Sequence, residues 1–272
     1  MSHSSSSSAS ARSAASRLQE NHAFQLAART GFAVNGLLHV LIGVIALSVA
    51  FGSGGEADHG GALSGLASRP GGVVVLWIVA IGLFALGLFQ VLEAFLVRGT
   101  DKDAWVDRAK EGGKAIAYLA IGFSAATIAM GSGGDSSGQA QGITATLLST
   151  PGGVFVVVFL GLGVLAIGVY FIVKGVKKKF LQDISAPDGK TGRSITTLGR
   201  IGYIAKGVAI SVVGILFCAA AITSDPSEAT GLDGALKTLV ELPLGPAILA
   251  VVALGLMAYG VYCFARAKYA RL

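Results

Sequence analysis

Charge is what this sequence has least of. Asp, Glu, Lys and Arg make up 13% of its 272 residues, against roughly a quarter in a soluble domain. Its 2 cysteines are too few for a disulfide scaffold. Cys218 and Cys263 fall near opposite ends of two apolar runs, which excludes a bond between them. The histidines at 3, 22, 39 and 59 lack metal-ligand spacing, and no HExxH, GxSxG or CxxC occurs. Gly189-Lys190-Thr191 resembles the end of a phosphate-binding loop, but Ile184 stands where its first glycine belongs. None of the 6 prolines interrupts the interior of a predicted helix. Together these absences exclude a secreted disulfide protein and an ordinary soluble enzyme.

Apolar length is what the chain has instead. Hydrophobic residues reach 53% and mean hydropathy is +0.70. A membrane helix needs about 20 residues with few charges. The runs predict helices near 32–51, 72–96, 113–131, 153–174, 203–222 and 244–265. They are continuous rather than alternating, and lipid leaves no backbone group unpaired, so they are helices and not barrel strands.

Lys and Arg set the expected orientation. Of the 21 basic residues, all but Arg69 and Lys237 lie in the N-terminal segment, 98–114, 174–206 and the C-terminus. Both termini are therefore expected in the cytoplasm of a bacterium, with the protein in its plasma membrane. The basic character is an orientation signal dispersed along a membrane face, and nucleic acid is not an expected partner. Residues 1–27 are Ser/Ala-rich without an apolar segment, and are read as a disordered cytoplasmic tail.

The chain repeats itself three times. Taking Pro70, Pro151 and Pro243 as origins, Gly82, Gly163 and Gly255 stand twelve residues later, and Gly87, Gly168 and Gly260 seventeen later. Ahead of each proline runs an Arg-led helix. Arg29, Arg108 and Arg200 are followed at +7 by Gly36, Ala115 and Gly207, and at +14 by Gly43, Gly122 and Gly214. Such spacing keeps small residues on one helix face, where they let backbones approach closely. The Gly-rich outer loops end in stretches 61–68, 142–149 and 234–241 that suit short interfacial helices. The units span 28–97, 98–175 and 200–272, with a basic linker at 176–199. The fold class is an all-α membrane protein: six transmembrane helices as three parallel two-helix repeats.

The arrangement resembles a family of actinobacterial membrane proteins defined only as a domain of unknown function. The residues that carry it are Arg200-Ile-Gly202-Tyr203 with Gly207 and Gly214, and Arg29-Thr-Gly31-Phe32 with Gly36 and Gly43. In the middle unit Lys110 and Glu111 replace the Gly-aromatic pair, removing the small residue that close packing needs there. The resemblance implies the fold and carries no activity.

Several polar residues within the spans stand out, since membrane polarity is costly. His39 and Tyr118 share the repeated face, +10 from their arginines. Asn35, Lys114 and Lys206 occupy +6 in the three units, and would form a polar ring at an inner vestibule if those positions faced one axis. Glu93 and Arg266 lie at one offset near the inner ends of two helices, and an ion pair between them is expected. Lys174, Lys177, Lys178 and Lys179 form a juxtamembrane cluster suited to anionic lipid headgroups. The acidic outer loops read as solvated. The chain carries no recognisable catalytic set and no cofactor is expected. Small-solute or ion permeation is the first reading, with a non-catalytic scaffold or accessory subunit as the alternative. Membrane lipids are the expected partners, and a protein partner or second copy is left open.

Overall fold

The computed structural model describes residues 22–97, 102–132 and 136–271. Six long helices carry the apolar runs: α1 (His22–Ala50), α3 (Gly72–Leu96), α4 (Lys102–Ala129), α6 (Gly153–Val176), α7 (Gly189–Thr223) and α9 (Gly245–Tyr269). Three short helices, α2 (His59–Ala67), α5 (Ser136–Leu148) and α8 (Leu232–Glu241), connect them on one side, called here the loop end. The opposite side, where the described chain begins and ends, is the terminal end. A 3-10 turn at Lys179–Asp183 precedes α7.

Three boundaries move. The third span, expected from 113, begins at Lys102, so much of the segment leading into the middle unit is helical. Residues 1–21 of the expected tail lie outside the described residues, and 22–27 are the first turns of α1. Half of the expected linker, 189–199, is helical and continues into the fifth span. At each proline the span starts at the second residue after it. Gly71 and Gly152 hold the intervening position at φ 76° and 81°, and Leu244 holds it at 61° against the usual cost for a side chain.

The glycines sort into two seams. Those at Pro+17 face the first span of the following unit: a Cβ on Gly87 would meet Leu119, one on Gly168 would meet Gly207, and one on Gly260 would lie 2.6 Å from the Gly36 carbonyl oxygen. The third unit thereby returns onto the first. Gly36, Gly43, Gly122, Gly207 and Gly214 provide the other side of the same seams, with Gly122 the loosest fit. The Pro+12 glycines face the first span of their own unit, Gly82 against Gly31 and Gly255 against Ala205.

Gly163 departs from this pattern: nothing lies within 4 Å of where its Cβ would be. In the outer units the first span contributes Gly31 against Leu86 and Gly202 against Tyr259, at one repeated offset. The middle unit has Lys110 at that place, and Ile167 at the offset of Leu86 and Tyr259 is 50% exposed. A lysine cannot let two backbones close, so α4 and α6 share no packed seam, whereas α1–α3 and α7–α9 do. The six spans follow the order α4, α3, α1, α9, α7, α6. The ends of that row approach where the Lys110 Nζ lies 5.8 Å from the Tyr170 ring centroid.

Toward the loop end the interior is a closed apolar core. Leu38, Ile42, Leu63, Leu76, Leu83 and Leu249 are fully buried in it. The capping helices are tied together by acids expected to be solvated. Asp58 caps α2 through Gly61 N at 2.8 Å. Asp233 accepts from Ala57 N at 2.8 Å and from Lys237 Nζ at 2.7 Å. Both acids are buried.

Candidate site: a polar cavity at the terminal end

Two of the three repeated arginines act as caps across units. Arg29 Nη1 donates to the carbonyls of Ala267 and Lys268 at the end of α9, at 3.1 and 2.5 Å. Arg108 Nη2 donates to Val97 O at the end of α3, at 3.0 Å. A cation there complements the helix dipole and satisfies carbonyls that no helical turn reaches.

Inside this rim lies a partly open cavity of about 180 Å3. Its walls come from α1, α3, α4, α9 and the 3-10 turn. The carboxylates of Glu93, Glu111 and Asp183 line it, as do the cations Lys114, Arg266 and Arg271 and the amides of Gln90 and Gln182. Some of this charge is internally matched. Lys114 Nζ lies 2.6 Å from Glu111 Oε1, Lys174 Nζ 2.7 Å from Asp183 Oδ2, and Arg266 Nη2 3.8 Å from the same Asp183 oxygen. Burial pushes the Asp183 carboxyl up, but the flanking Arg266 and Lys174 outweigh it and hold the group below its usual range. Two lining residues carry an atom buried without a partner among the described residues: Gln90 Oε1 and Arg266 Nε. A buried unsatisfied polar atom costs about 1–3 kcal/mol.

The sequence candidates disperse around this cavity. Lys114 lines it. Asn35 is buried and points its amide at Cys263 Sγ, 3.4 Å away. Lys206 Nζ sits 4.4 Å from the Tyr259 ring centroid. The three +6 residues therefore form no common ring: the face they occupy is a seam between units. His39 is likewise packed, with Nδ1 2.8 Å from Asn35 O and its ring 4.7 Å from that of Tyr259. Tyr118 is half-buried among apolar side chains of the core. Glu93 and Arg266 line the same cavity, but the acid that faces Arg266 is Asp183, because the 3-10 turn folds back against α9.

Lys174 leaves the lipid cluster. It is buried, paired with Asp183, and lies 5.4 Å from the Tyr203 ring centroid. Tyr203, Tyr259, Tyr262 and Phe180 form one aromatic cluster beside it. Lys177, Lys178 and Lys179 remain exposed. Asp183 escaped the sequence reading because nine residues separate it from Lys174. Only the apolar pair Phe180-Leu181, set between lysines and Gln182-Asp183, hinted that this turn is docked.

His59, at the start of α2, faces the ring of His39 edge-on at 5.5 Å, and its Nε2 is buried without a partner among the described residues. Burial, with Lys206 adding to it, pushes its pKa down to about 4. A histidine neutral when folded and protonatable near 6.5 when unfolded costs stability as pH falls through that window. Each pH unit between about 6.5 and 4 is expected to remove up to about 1.4 kcal/mol. Melting curves of His59→Asn should flatten over this range. Unchanged pH dependence in that variant would refute the assignment.

Comparison with known proteins supplies the family. The description Domain of Unknown Function (DUF1206) matches three times in tandem, over residues 30–96, 111–178 and 201–270. This chain belongs to that family. One match falls on each pair of long helices, the second beginning at 111, inside the third span. An uncharacterised protein of Bacillus subtilis strain 168, YxxB, is 30% identical over 248 residues, covering 89% of each chain. No solved structure matches. The protein is thus an integral membrane protein of a family without an assigned activity.

Proposed function

We propose that this DUF1206 protein admits a small polar solute into the plasma membrane from the cytoplasmic side and serves its permeation or transport, in a conformation closed at the loop end. One observation carries the reading: a polar cavity with buried groups that have no partner among the described residues opens at the terminal end, while largely apolar packing fills the interior beyond it. The concentration of Lys and Arg at that end supports a cytoplasmic position for it, by the positive-inside rule. We read the protein as non-enzymatic, because Lys114 is matched to Glu111 and Asp183 to Lys174, which favours binding over proton transfer. The exposed lysines at 177, 178 and 179 suit contact with anionic lipid. The scaffold reading draws support from α6, of whose apolar stretch only 17% is buried, so most of that span is free for lipid or another membrane protein.

Thiol accessibility tests the reading. With Cys218 and Cys263 replaced, single cysteines at 93, 111 and 182 are expected to react with a charged, impermeant reagent in inverted vesicles and to be protected in intact cells. Cysteines at 39, 42 and 249 are expected to stay unreactive from both sides. Silence at 93, 111 and 182, with a control at 178 reacting, would mean a packed bundle and favour the scaffold. Labelling of these sites in intact cells would reverse the orientation.

A further inference from the structure

The cavity's walls are balanced rather than single-signed. Three carboxylates, Glu93, Glu111 and Asp183, face three cations, Lys114, Arg266 and Arg271. A solute of net charge entering such a space meets a repelling group for each attracting one, whereas a molecule carrying both signs pairs with both. The unpartnered atoms are complementary too. Gln90 Oε1 accepts and needs an N–H, and Arg266 Nε donates and needs an oxygen. Both residues are more than nine-tenths buried, at 2% and 9% exposure. The volume of about 180 Å3 admits a small molecule and lies well below a drug-sized pocket of roughly 300–1,000 Å3.

We infer that the terminal-end cavity binds a small zwitterion, its ammonium on the Gln90 side and its anionic oxygens on the Arg266 side. The inference rests on the cavity being reached by solvent and is independent of translocation. Thiol labelling at 93, 111 and 182 tests solvent access by itself, so a failure of binding is distinguishable from a failure of the vestibule. Two sources share this chemistry: a free amino-acid-like solute, and the phosphoethanolamine headgroup of a lipid.

The test uses the full chain in nanodiscs of phosphatidylglycerol, titrated calorimetrically with glycine, β-alanine and γ-aminobutyrate, and with acetate and methylammonium as single-charge controls. At least one zwitterion is expected to saturate and to bind 10-fold or more tightly than either control. Gln90→Met, which keeps length and removes the acceptor, is expected to lose 10-fold or more in affinity. Its melting temperature without ligand should be equal to or above that of the parent, because the lost acceptor had no partner among the described residues. A structural glutamine would show the reverse, a lower melting temperature with affinity intact. Arg266→Lys should also bind 10-fold or more weakly. Adding phosphatidylethanolamine separates the sources: unchanged affinity assigns the site to a free solute, and competitive weakening assigns it to the headgroup. The inference is overturned if no zwitterion saturates, if acetate or methylammonium binds as tightly, or if Gln90→Met binds like the parent.

Discussion

Replacing Gly260 by valine is expected to cost about 3 kcal/mol or more and to release α9 from α1. A Cβ at 260 would lie 2.6 Å from Gly36 O, and one at 36 would lie 2.7 Å from Gly260 O. Both obstacles are backbone, so no side chain can turn aside and the helices must separate. Overpacking in a core typically costs about 1–3 kcal/mol, and more where the backbone has to move. The effect is larger here because this seam joins the last unit to the first and sets the relative position of α1 and α9, which both border the cavity. The matched control is Gly163→Val. That position is open, so its cost should stay within about 0.5 kcal/mol. Thermal unfolding of both variants in one detergent checks the pair. Equal losses would mean that these glycines matter for helix formation alone and not for contact between helices.

Neutralising Asp183 is the second large effect. The Lys174 side chain is 6% exposed and the Arg266 side chain 11%, so Asp183→Asn leaves two buried cations facing no carboxylate from the turn. Removing one partner of a buried pair costs about 3–5 kcal/mol. Asp183 keeps 22% of its side chain exposed, which places the expected loss at about 3 kcal/mol, the low end of that range. The pH dependence has a definite sign. The folded carboxyl titrates below its unfolded value of about 3.9. Its contribution is therefore complete above pH ~4 and disappears as pH falls through the lower folded value. The parent should lose stability on acidification below about pH 4, and Asp183→Asn should lack that component while being less stable at pH 7. A variant as stable as the parent at neutral pH would show that the turn is not anchored through this pair.

Much of the architecture was legible because the membrane imposes it. Apolar length reports a span, and the recurrence of Pro70, Pro151 and Pro243 with their glycines reports a unit. Lys110 in place of a glycine marked the middle unit as different, and the structure turns that mark into an unsealed contact between α4 and α6. The cavity was not legible. Of the residues expected at a vestibule only Lys114 lines it, because Asn35, Lys206, His39 and Tyr118 turned out to face neighbouring helices.

The sequence by itself determined the six spans, the three units and the concentration of positive charge at one end, since these follow from local composition and period. Only the tertiary structure decided which partner each small residue meets. A glycine states that a backbone comes close, but whether Gly260 meets its own unit or the next depends on how all six helices pass one another. The same holds for Asp183, whose pairing with Lys174 and Arg266 requires a turn to fold back on two helices. It holds too for Gln90, whose lack of a partner is a property of the space around it.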